Sequence, residues 1–229
     1  MSVAKGKRMK TLRGVILDVD GTLVDSNDAH TSAWVEALQR GGYDVPREKV
    51  RRLIGMGADN LLPEAITVEK ESAEGKRLSD WWREIFTANY LSGLKAFPKT
   101  RELLKRMRKD GLKLVVASSA EDEMLKTLLD IAGATDLVAS KTSSDDAENS
   151  KPEPDIVKAA LYKLGMGANE VLMIGDTPYD IEAAGKLGIG VIALRCGGFT
   201  DVDFERAVAI YDDAADLLKY YDKSPLSRK

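Results

Sequence analysis

Short apolar runs bounded by polar or turn residues recur along this chain of 229 residues. The clearest runs predict strands at residues 14–17, 112–117, 171–174 and 190–194, and weaker ones lie at 136–139 and 208–211. Amphipathic helical patterns fall between the strands, at residues 99–109, 121–132, 154–164 and 180–187. Strands that alternate with helices are typical of βαβ units. The pattern therefore predicts an α/β fold, a Rossmann-like three-layer α/β/α core with a mainly parallel sheet.

One stretch, residues 28–93, breaks this alternation. It contains helical patterns at residues 29–40 and 69–91 but no convincing strand, and the alternation resumes after residue 98. An all-helical insert between the first strand and the rest of the sheet is the simplest account. We therefore predict a core of residues 1–27 and 95–229 and a helical domain of residues 28–94, with hinges near Asn27 and Lys95.

Two carboxylates stand at the end of the first predicted strand. Asp18 and Asp20 directly follow its apolar residues and open the sequence Asp-Val-Asp-Gly-Thr of residues 18–22. A buried carboxylate is unfavourable without a partner. Side chains at i and i+2 of an extended segment point the same way, so the two face one centre, roughly 6–7 Å apart along the backbone. Such an oxygen pair suits a hard divalent cation.

Further polar residues follow other predicted strands. Ser118 and Ser119 follow the second strand, Asp176 and Asp180 follow the strand that ends at residue 174, and Lys151 lies between these pairs in a proline-rich segment. Because ligands of parallel α/β sheets bind outside the carboxyl ends of the strands, we expect these groups to meet. A nucleophile, a divalent cation, a positive charge and hydrogen-bond donors are the ingredients of phosphoryl transfer.

Together, four segments of the chain resemble the ordered motifs of the haloacid dehalogenase superfamily, over nearly the whole sequence. They are Asp-Val-Asp-Gly-Thr at residues 18–22, Ser118, Lys-Pro-Glu-Pro-Asp at residues 151–155 and Gly-Asp-Thr-Pro-Tyr-Asp at residues 175–180. A helical insert after the first motif is similar to the cap of the phosphoglycolate phosphatase and β-phosphoglucomutase subgroup. The resemblance implies that the helical domain is such a cap.

The same resemblance implies roles for the carboxylates. Asp18 would be the nucleophile that forms an aspartyl-phosphate, and Asp20 would be the general acid and base. A Mg²⁺ cofactor would be held by Asp18, by the backbone carbonyl of Asp20 and by Asp176. Asp180 would lie in the outer shell of the metal.

Four further residues are implied to act around the phosphoryl group. Ser118 would hydrogen-bond a phosphoryl oxygen, with Ser119 beside it, and Lys151 would neutralise charge in the transition state. His30, the only histidine, matches one that helps align the general acid in β-phosphoglucomutase-like proteins. Structural alternatives stay open: the serines as a helix cap, Lys151 as a surface lysine and His30 as a packing residue.

Other residues of the insert are expected to be structural. Trp81 and Trp82 fit the apolar face of a packed helix, with a substrate platform as the alternative. Arg51 and Arg52 fit a solvated surface, with contact between a cap arginine and a second anionic group of a substrate as the alternative. A calcium loop of the EF-hand type is excluded at residue 18, because its sixth and twelfth positions would need glycine and glutamate and the chain has leucine and alanine there.

The composition of the chain limits which binding partners and which cellular compartment we expect. The formal net charge of −3 favours neither nucleic acid nor an anionic membrane. The single cysteine, Cys196, excludes an intrachain disulfide and suits a reducing compartment. No apolar stretch reaches the roughly 18 residues that span a bilayer, and the basic residues 1–10 lack the apolar segment of a signal peptide. We expect a cytoplasmic protein, a monomer or homodimer, with frayed ends at residues 1–10 and 223–229.

The leading hypothesis is a Mg²⁺-dependent phosphatase that acts on a small phosphorylated metabolite. A sugar-phosphate mutase of the same fold is the first alternative, but Ala58 stands nearest to the position where such mutases have a cap arginine. A dehalogenase attacks carbon without metal, and Asp20 and Asp176 argue against it. A non-catalytic phosphometabolite-binding protein is the alternative of another class, and it would lack at least one chemical residue, whereas none is missing.

Overall fold

The computed structural model describes residues 12–227 and contains one parallel sheet. Its strands are β1 (Gly14–Leu17), β2 (Lys113–Ala117), β3 (Ser140–Thr142), β4 (Val171–Gly175), β5 (Gly190–Leu194) and β6 (Ala209–Tyr211), in the order β3-β2-β1-β4-β5-β6. Every neighbouring pair is parallel. The α/β prediction is confirmed, and the predicted fraying of residues 1–10 lies outside the described residues.

Helices cover both faces of this sheet. Those of the core are α5 (Thr100–Lys109), α6 (Asp122–Ile131), α7 (Asp155–Leu164), α8 (Pro178–Lys186) and α9 (Ala214–Lys219). Alternate residues of β1 enter different clusters: Val15 and Leu17 pack with α5, α6 and α9, whereas Ile16 packs with α7 and α8. This alternation follows from the two-residue period of a strand. The predicted three-layer core is therefore present, with all of β1 buried.

Between β1 and α5 lies the helical insert. Its helices are α1 (Asn27–Arg40), α2 (Arg47–Leu53), α3 (Ala58–Ile66) and α4 (Ala73–Ile85), followed by a π-helical turn at Phe86–Tyr90 and a 3-10 turn at Leu91–Gly93. Trp34, Leu38, Leu62 and Leu78 belong to an apolar cluster that is separate from the two clusters of the core. The division at residues 28–94 stays a proposal, and this separate cluster supports it.

The two ends of the insert run side by side. Val24 forms an antiparallel bridge with Ala96, and the backbone N–H of Asp25 donates to the carbonyl of Lys95 at 2.9 Å. The two chain connections between insert and core therefore lie side by side, next to the carboxyl end of β1.

Three sequence predictions differ from the structure. The weak strand expected at residues 136–139 lies at Ser140–Thr142 instead, because Leu137 and Val138 pack against the core from a turn that follows α6. The helix expected to start at residue 69 starts at residue 73, where the Ser72 side chain caps it. The C-terminal prediction is wrong for residues 223–227, because Leu226 is fully buried in the core.

Across residues 12–227, none of the helices combines the length and the apolar content that crossing a lipid bilayer requires.

Candidate active site

Polar side chains meet where the central strands end. Asp18 follows β1, Ser118 follows β2 and Asp176 follows β4, and all three are buried. Because β2, β1 and β4 are parallel neighbours, their carboxyl ends lie at one edge of the sheet. Lys151 reaches this edge from the loop before α7, and its side chain is only 2% exposed. The structure thus brings the residues together as the sequence predicts, and the surface alternative for Lys151 is wrong.

Three buried carboxylates form a tight cluster at this edge. Asp18, Asp176 and Asp180 each place an oxygen within 4.8 Å of the other two. Lys151 Nζ donates to Asp18 Oδ1 at 2.5 Å and to Asp180 Oδ1 at 2.8 Å. One ammonium therefore faces three carboxylates, and full ionisation would leave two negative charges without a buried partner.

The carboxyl pKa values reflect this excess of negative charge. Burial raises the pKa of Asp18 to about 6, although the nearby Lys151 ammonium acts to lower it. Burial, with Asp18 and Asp180 close by, raises the pKa of Asp176 well above its ordinary value. Burial would lower the pKa of Lys151, but attraction to Asp18 and Asp180 outweighs it and raises that pKa. Lys151 is therefore a fixed positive charge in the site.

The cluster fits a divalent cation on three grounds. Its donors are carboxylate oxygens, the ligands that Mg²⁺ and Ca²⁺ prefer. Its negative charge is only partly compensated, because Lys151 is the one ammonium that contacts it among the described residues. Among the described residues, Asn27 Oδ1 is buried without a hydrogen-bond partner, while the Nδ2 of the same side chain donates to Asp176 Oδ2 at 2.8 Å. A buried oxygen without a partner is costly, and this one belongs to the side chain that contacts Asp176.

Close packing of a glycine shapes this region further. A Cβ atom at Gly197 would lie 1.9 Å from Asp176 Oδ2, so any side chain would displace the carboxylate. Gly197 also accepts a hydrogen bond from Asn27 Nδ2 through its carbonyl, at 3.2 Å. The backbone after β5 therefore helps hold Asp176 in the cluster.

The Asp20 carboxylate points away from the acidic cluster. Its Oδ1 accepts from Ser26 Oγ at 2.6 Å and contacts His30 Nε2 at 2.9 Å. Burial would raise the pKa of Asp20, but electrostatic attraction from His30 and the hydrogen bonds from His30 and Ser26 outweigh it and lower that pKa. Asp20 Oδ1 is thus held by Ser26 and His30, and the metal contact predicted for Asp20 is through its backbone carbonyl.

His30 is held in place by aromatic rings. It stacks on Phe86 with ring centroids 4.2 Å apart and on Trp82 at 5.6 Å. The histidine therefore packs inside the insert, as the structural alternative expected, and also contacts Asp20. Packing in the insert and contact with Asp20 are compatible, and the role of His30 in aligning Asp20 stays a prediction.

Ser118 and Ser119 do not cap the helix that follows them. The N-cap of α6 is Glu121, and it makes no side-chain cap. Ser118 Oγ instead accepts the backbone N–H of Ala120 at 3.1 Å, and Ser119 Oγ is buried without a partner among the described residues. The helix-cap alternative is therefore wrong.

A cavity of about 140 Å³ lies between the sheet edge and the insert. From the core it is lined by the Asp18, Asp20, Ser118, Ser119 and Lys151 side chains, among others. The insert side includes Met56, Asp59, Lys70, Trp82 and Arg83. Every predicted site residue except Asp176 and Asp180 therefore lines one cavity, and those two lie behind Asp18.

Two expectations about the insert need correction. Arg51 is not solvated: its side chain is 18% exposed and donates to the carbonyl of Gly197. Arg52 is half-exposed but pairs with Asp203 at 2.8 Å, across the boundary between insert and core. Trp82 packs as expected, yet it also lines the cavity.

Several polar residues of the site were not identified in the sequence. Thr22 Oγ1 lies 2.9 Å from Asp18 Oδ2 and 2.7 Å from Asp176 Oδ1. Because a hydroxyl has one proton, it donates to only one of these carboxylates at a time. Thr177 donates its backbone N–H and its hydroxyl to Asp180 Oδ2. Both threonines stand inside the quoted motifs, so position in the motif was an available signal. Asn27 carried none.

Comparison with known proteins places this geometry in a family. A family model described as haloacid dehalogenase-like hydrolase matches residues 15–194. A phosphoglycolate phosphatase of Rhodospirillum rubrum is 29% identical over 219 residues, which cover 90% of this chain and 89% of the relative.

Solved structures agree with this placement. A hydrolase from Pseudomonas syringae superimposes with a TM-score of 0.85 at 29% identity, covering 93% of this chain and 98% of that one. A β-phosphoglucomutase from Clostridium difficile has a TM-score of 0.80 at 17% identity, covering 93% and 96% of the two chains, and it shows the shared fold alone. Because the family model spans most of the sequence, the chain belongs to the haloacid dehalogenase-like hydrolase family and is an enzyme of its phosphatase class.

Proposed function

We propose that the enzyme hydrolyses a small phosphate monoester through an aspartyl-phosphate on Asp18, with Mg²⁺ as cofactor. The observation that carries this proposal is the buried contact of Asp18 with Lys151, at 2.5 Å, on the wall of a cavity that Asp20 also lines. A nucleophilic carboxylate, a fixed cation and a second carboxylate are thereby present around one space.

The residues that would hold Mg²⁺ are Asp18, Asp176 and the backbone carbonyl of Asp20. When bound, the cation supplies positive charge that reduces the repulsion between the Asp18 carboxylate and a phosphate dianion. We propose an outer position for Asp180, whose carboxylate accepts hydrogen bonds from Lys151 and from Thr177.

In the first proposed step, an Asp18 oxygen forms a bond to phosphorus as the bond to the leaving oxygen breaks. The leaving oxygen takes a proton from Asp20. In the second step, water attacks the phosphorus of the aspartyl-phosphate, Asp20 takes a proton from that water, and Asp18 is released with inorganic phosphate. Ser118 and Ser119 would donate to phosphoryl oxygens, and Lys151 would balance their charge.

The lowered pKa of Asp20 bears on the first of these steps. Without substrate, Asp20 is ionised near neutral pH, a state that suits a base but not an acid. A phosphate dianion brought into the cavity repels this carboxylate and raises its pKa. We therefore propose that substrate binding prepares Asp20 as the acid, while the contact with His30 holds its carboxylate in place.

The cavity limits the substrate to a small molecule. Its volume of about 140 Å³ is below the roughly 300–1,000 Å³ typical of drug-sized ligand pockets. Lys70 lines its insert side, where its charge favours a negatively charged leaving group, whereas Arg83 there already pairs with Asp80 and Glu121. We propose that residues 28–94 act as a cap that selects such a substrate, and the similarity to phosphoglycolate phosphatase makes phosphoglycolate the first compound to assay. A cytoplasmic location and a monomer or homodimer stay predictions.

A sugar-phosphate mutase remains the alternative that one observation favours, namely the contact of His30 with Asp20. A panel of phosphate esters that includes phosphoglycolate and β-glucose 1-phosphate separates the two functions. Release of inorganic phosphate supports hydrolysis, and formation of glucose 6-phosphate without phosphate release supports the mutase.

Removal of divalent cations is expected to abolish turnover reversibly. Without a cation, the Asp18 cluster repels the substrate dianion. Hydrolysis of p-nitrophenyl phosphate by enzyme treated with EDTA should fall to background and return when Mg²⁺ is added in excess. An enzyme that keeps its rate in EDTA would refute the metal requirement, and an enzyme inactive on the whole panel with Mg²⁺ would support a non-catalytic binding protein.

Substitution of His30 is expected to lower kcat and leave KM nearly unchanged. His30→Leu removes a hydrogen bond to a charged group, worth about 1.5–3 kcal/mol, and kcat should fall about 10- to 100-fold. His30→Gln keeps a nitrogen donor and should recover part of the rate. Steady-state kinetics of both variants provide the measurement, and equal losses in the two variants would assign His30 a packing role alone.

A further inference from the structure

The first turn of α3 contacts the main chain that carries Lys151. Asp59 Oδ2 accepts the backbone N–H of Ser150 at 3.0 Å. Asn60 Nδ2 donates to the carbonyl oxygens of Ser150 and Lys151, at 3.3 and 3.2 Å. Two neighbouring side chains of the insert thus hold one donor and two acceptors of a two-residue segment of the core. We call these two side chains the α3 clamp.

This contact departs from what the first turn of a helix usually does. A carboxylate there commonly interacts with the free N–H groups of its own helix. Asp59 instead turns outward to Ser150, and the N-cap of α3 is Gly57, which makes no side-chain cap. A Cβ atom at Gly57 would lie 2.1 Å from Ser150 Oγ, so the close approach of the two chains requires glycine.

The clamp acts on the main-chain end of Lys151. The other end of this residue, the ammonium, is fixed by Asp18 and Asp180. A lysine stem is flexible, so the ammonium stays in place only if the main chain is also fixed. On the core side, the Ser150 carbonyl accepts the backbone N–H of Glu153 at 3.0 Å, which ties the segment to the turn that follows it.

We propose that Asp59 and Asn60 are positioning residues, which fix the main chain of residues 150–151 and thereby hold the Lys151 ammonium against Asp18 during catalysis. The inference rests on the proposed function, because it concerns the place of Lys151 in that reaction. Through the clamp, the insert that encloses the substrate also sets the geometry of the catalytic lysine. A displacement of about 1 Å at a reacting group lowers a rate by about 10²-fold.

Isosteric substitutions test the clamp. Asp59→Leu removes the acceptor and keeps the branching at Cγ, whereas Asp59→Asn keeps an acceptor oxygen. Asn60→Asp places a carboxylate against two carbonyl oxygens. We expect kcat on p-nitrophenyl phosphate to fall about 10²-fold in Asp59→Leu and Asn60→Asp. Because Asp59 also lines the cavity and Asn60 does not, KM should stay nearly unchanged only in Asn60→Asp. Asp59→Asn should keep a kcat within a few-fold of wild type.

A matched control comes from another contact between insert and core. Arg52→Gln breaks the pair with Asp203 but does not touch the segment of Lys151. It should leave kcat nearly unchanged. If Arg52→Gln lowers kcat as much as Asp59→Leu does, the clamp has no role beyond docking the insert, and the inference is overturned.

Hydrogen exchange provides a readout that does not depend on turnover. The amide of Ser150 should exchange faster in Asp59→Leu than in wild type, and it should be unchanged in Arg52→Gln. An unchanged Ser150 amide in Asp59→Leu overturns the inference. Wild-type protein without turnover on the ester panel overturns the proposed function together with the catalytic role of the clamp, whereas active wild type with unaffected clamp variants overturns the inference alone.

Discussion

Replacement of Asp18 by asparagine is expected to abolish phosphate-ester hydrolysis in a protein that remains folded. A carboxamide is a far weaker nucleophile than a carboxylate, and loss of the attacking group in covalent catalysis lowers kcat on the order of 10⁵–10⁶-fold. The amide has nearly the same shape and fits the same contacts. Its oxygen can accept from Lys151, and its NH₂ can donate to the Thr22 hydroxyl, which then acts as acceptor.

Two measurements check this expectation. Steady-state release of phosphate gives the loss of kcat, and mass spectrometry of acid-quenched enzyme should find a phosphoryl group on Asp18 in wild type only. Asp25→Asn is the matched control, because Asp25 is an exposed carboxylate on the same segment, outside the cavity, and its rate should be nearly that of wild type. A rate for Asp18→Asn within tenfold of wild type would remove Asp18 from the role of nucleophile.

The parts of the site that the sequence predicts are those that local physics determines. Asp18 and Asp176 follow apolar runs, and parallel strands place their carboxyl ends at one edge, so strand periodicity alone brings them together. The prediction of Lys151 needed more than periodicity, because a lysine next to a proline-rich turn is ordinarily exposed. The order of the family motifs supplied that prediction, and the structure places Lys151 in contact with Asp18.

Other parts of the site depend on contacts between distant segments, which no local pattern encodes. Asn27 meets Asp176 across 149 positions, and Asp59 meets Ser150 across 91. The misplaced third strand has a different cause. Leu137 and Val138 are apolar because a turn packs them against the core, and burial produces the same residue types in a turn as in a strand.

Replacement of Lys151 by methionine is expected to reduce both activity and stability. Methionine preserves the volume and length of the stem but removes the only ammonium in contact with Asp18 and Asp180 among the described residues. Loss of one partner of a buried ion pair lowers the free energy of unfolding by about 3–5 kcal/mol. Loss of a charge aimed at the transition state lowers kcat about 10²- to 10³-fold.

The response to Mg²⁺ distinguishes the electrostatic role of Lys151 from simple packing. Without the ammonium the carboxylate cluster is more negative, so Mg²⁺ should bind more tightly, and binding to the folded state alone raises the free energy of unfolding. Urea denaturation in EDTA and in Mg²⁺ should therefore show a larger gain with Mg²⁺ for Lys151→Met than for wild type. Lys186→Met, which removes an exposed lysine paired with Glu153, should change stability by no more than about 1 kcal/mol. Equal Mg²⁺ responses in Lys151→Met and wild type would show that Lys151 does not offset the charge of the carboxylates.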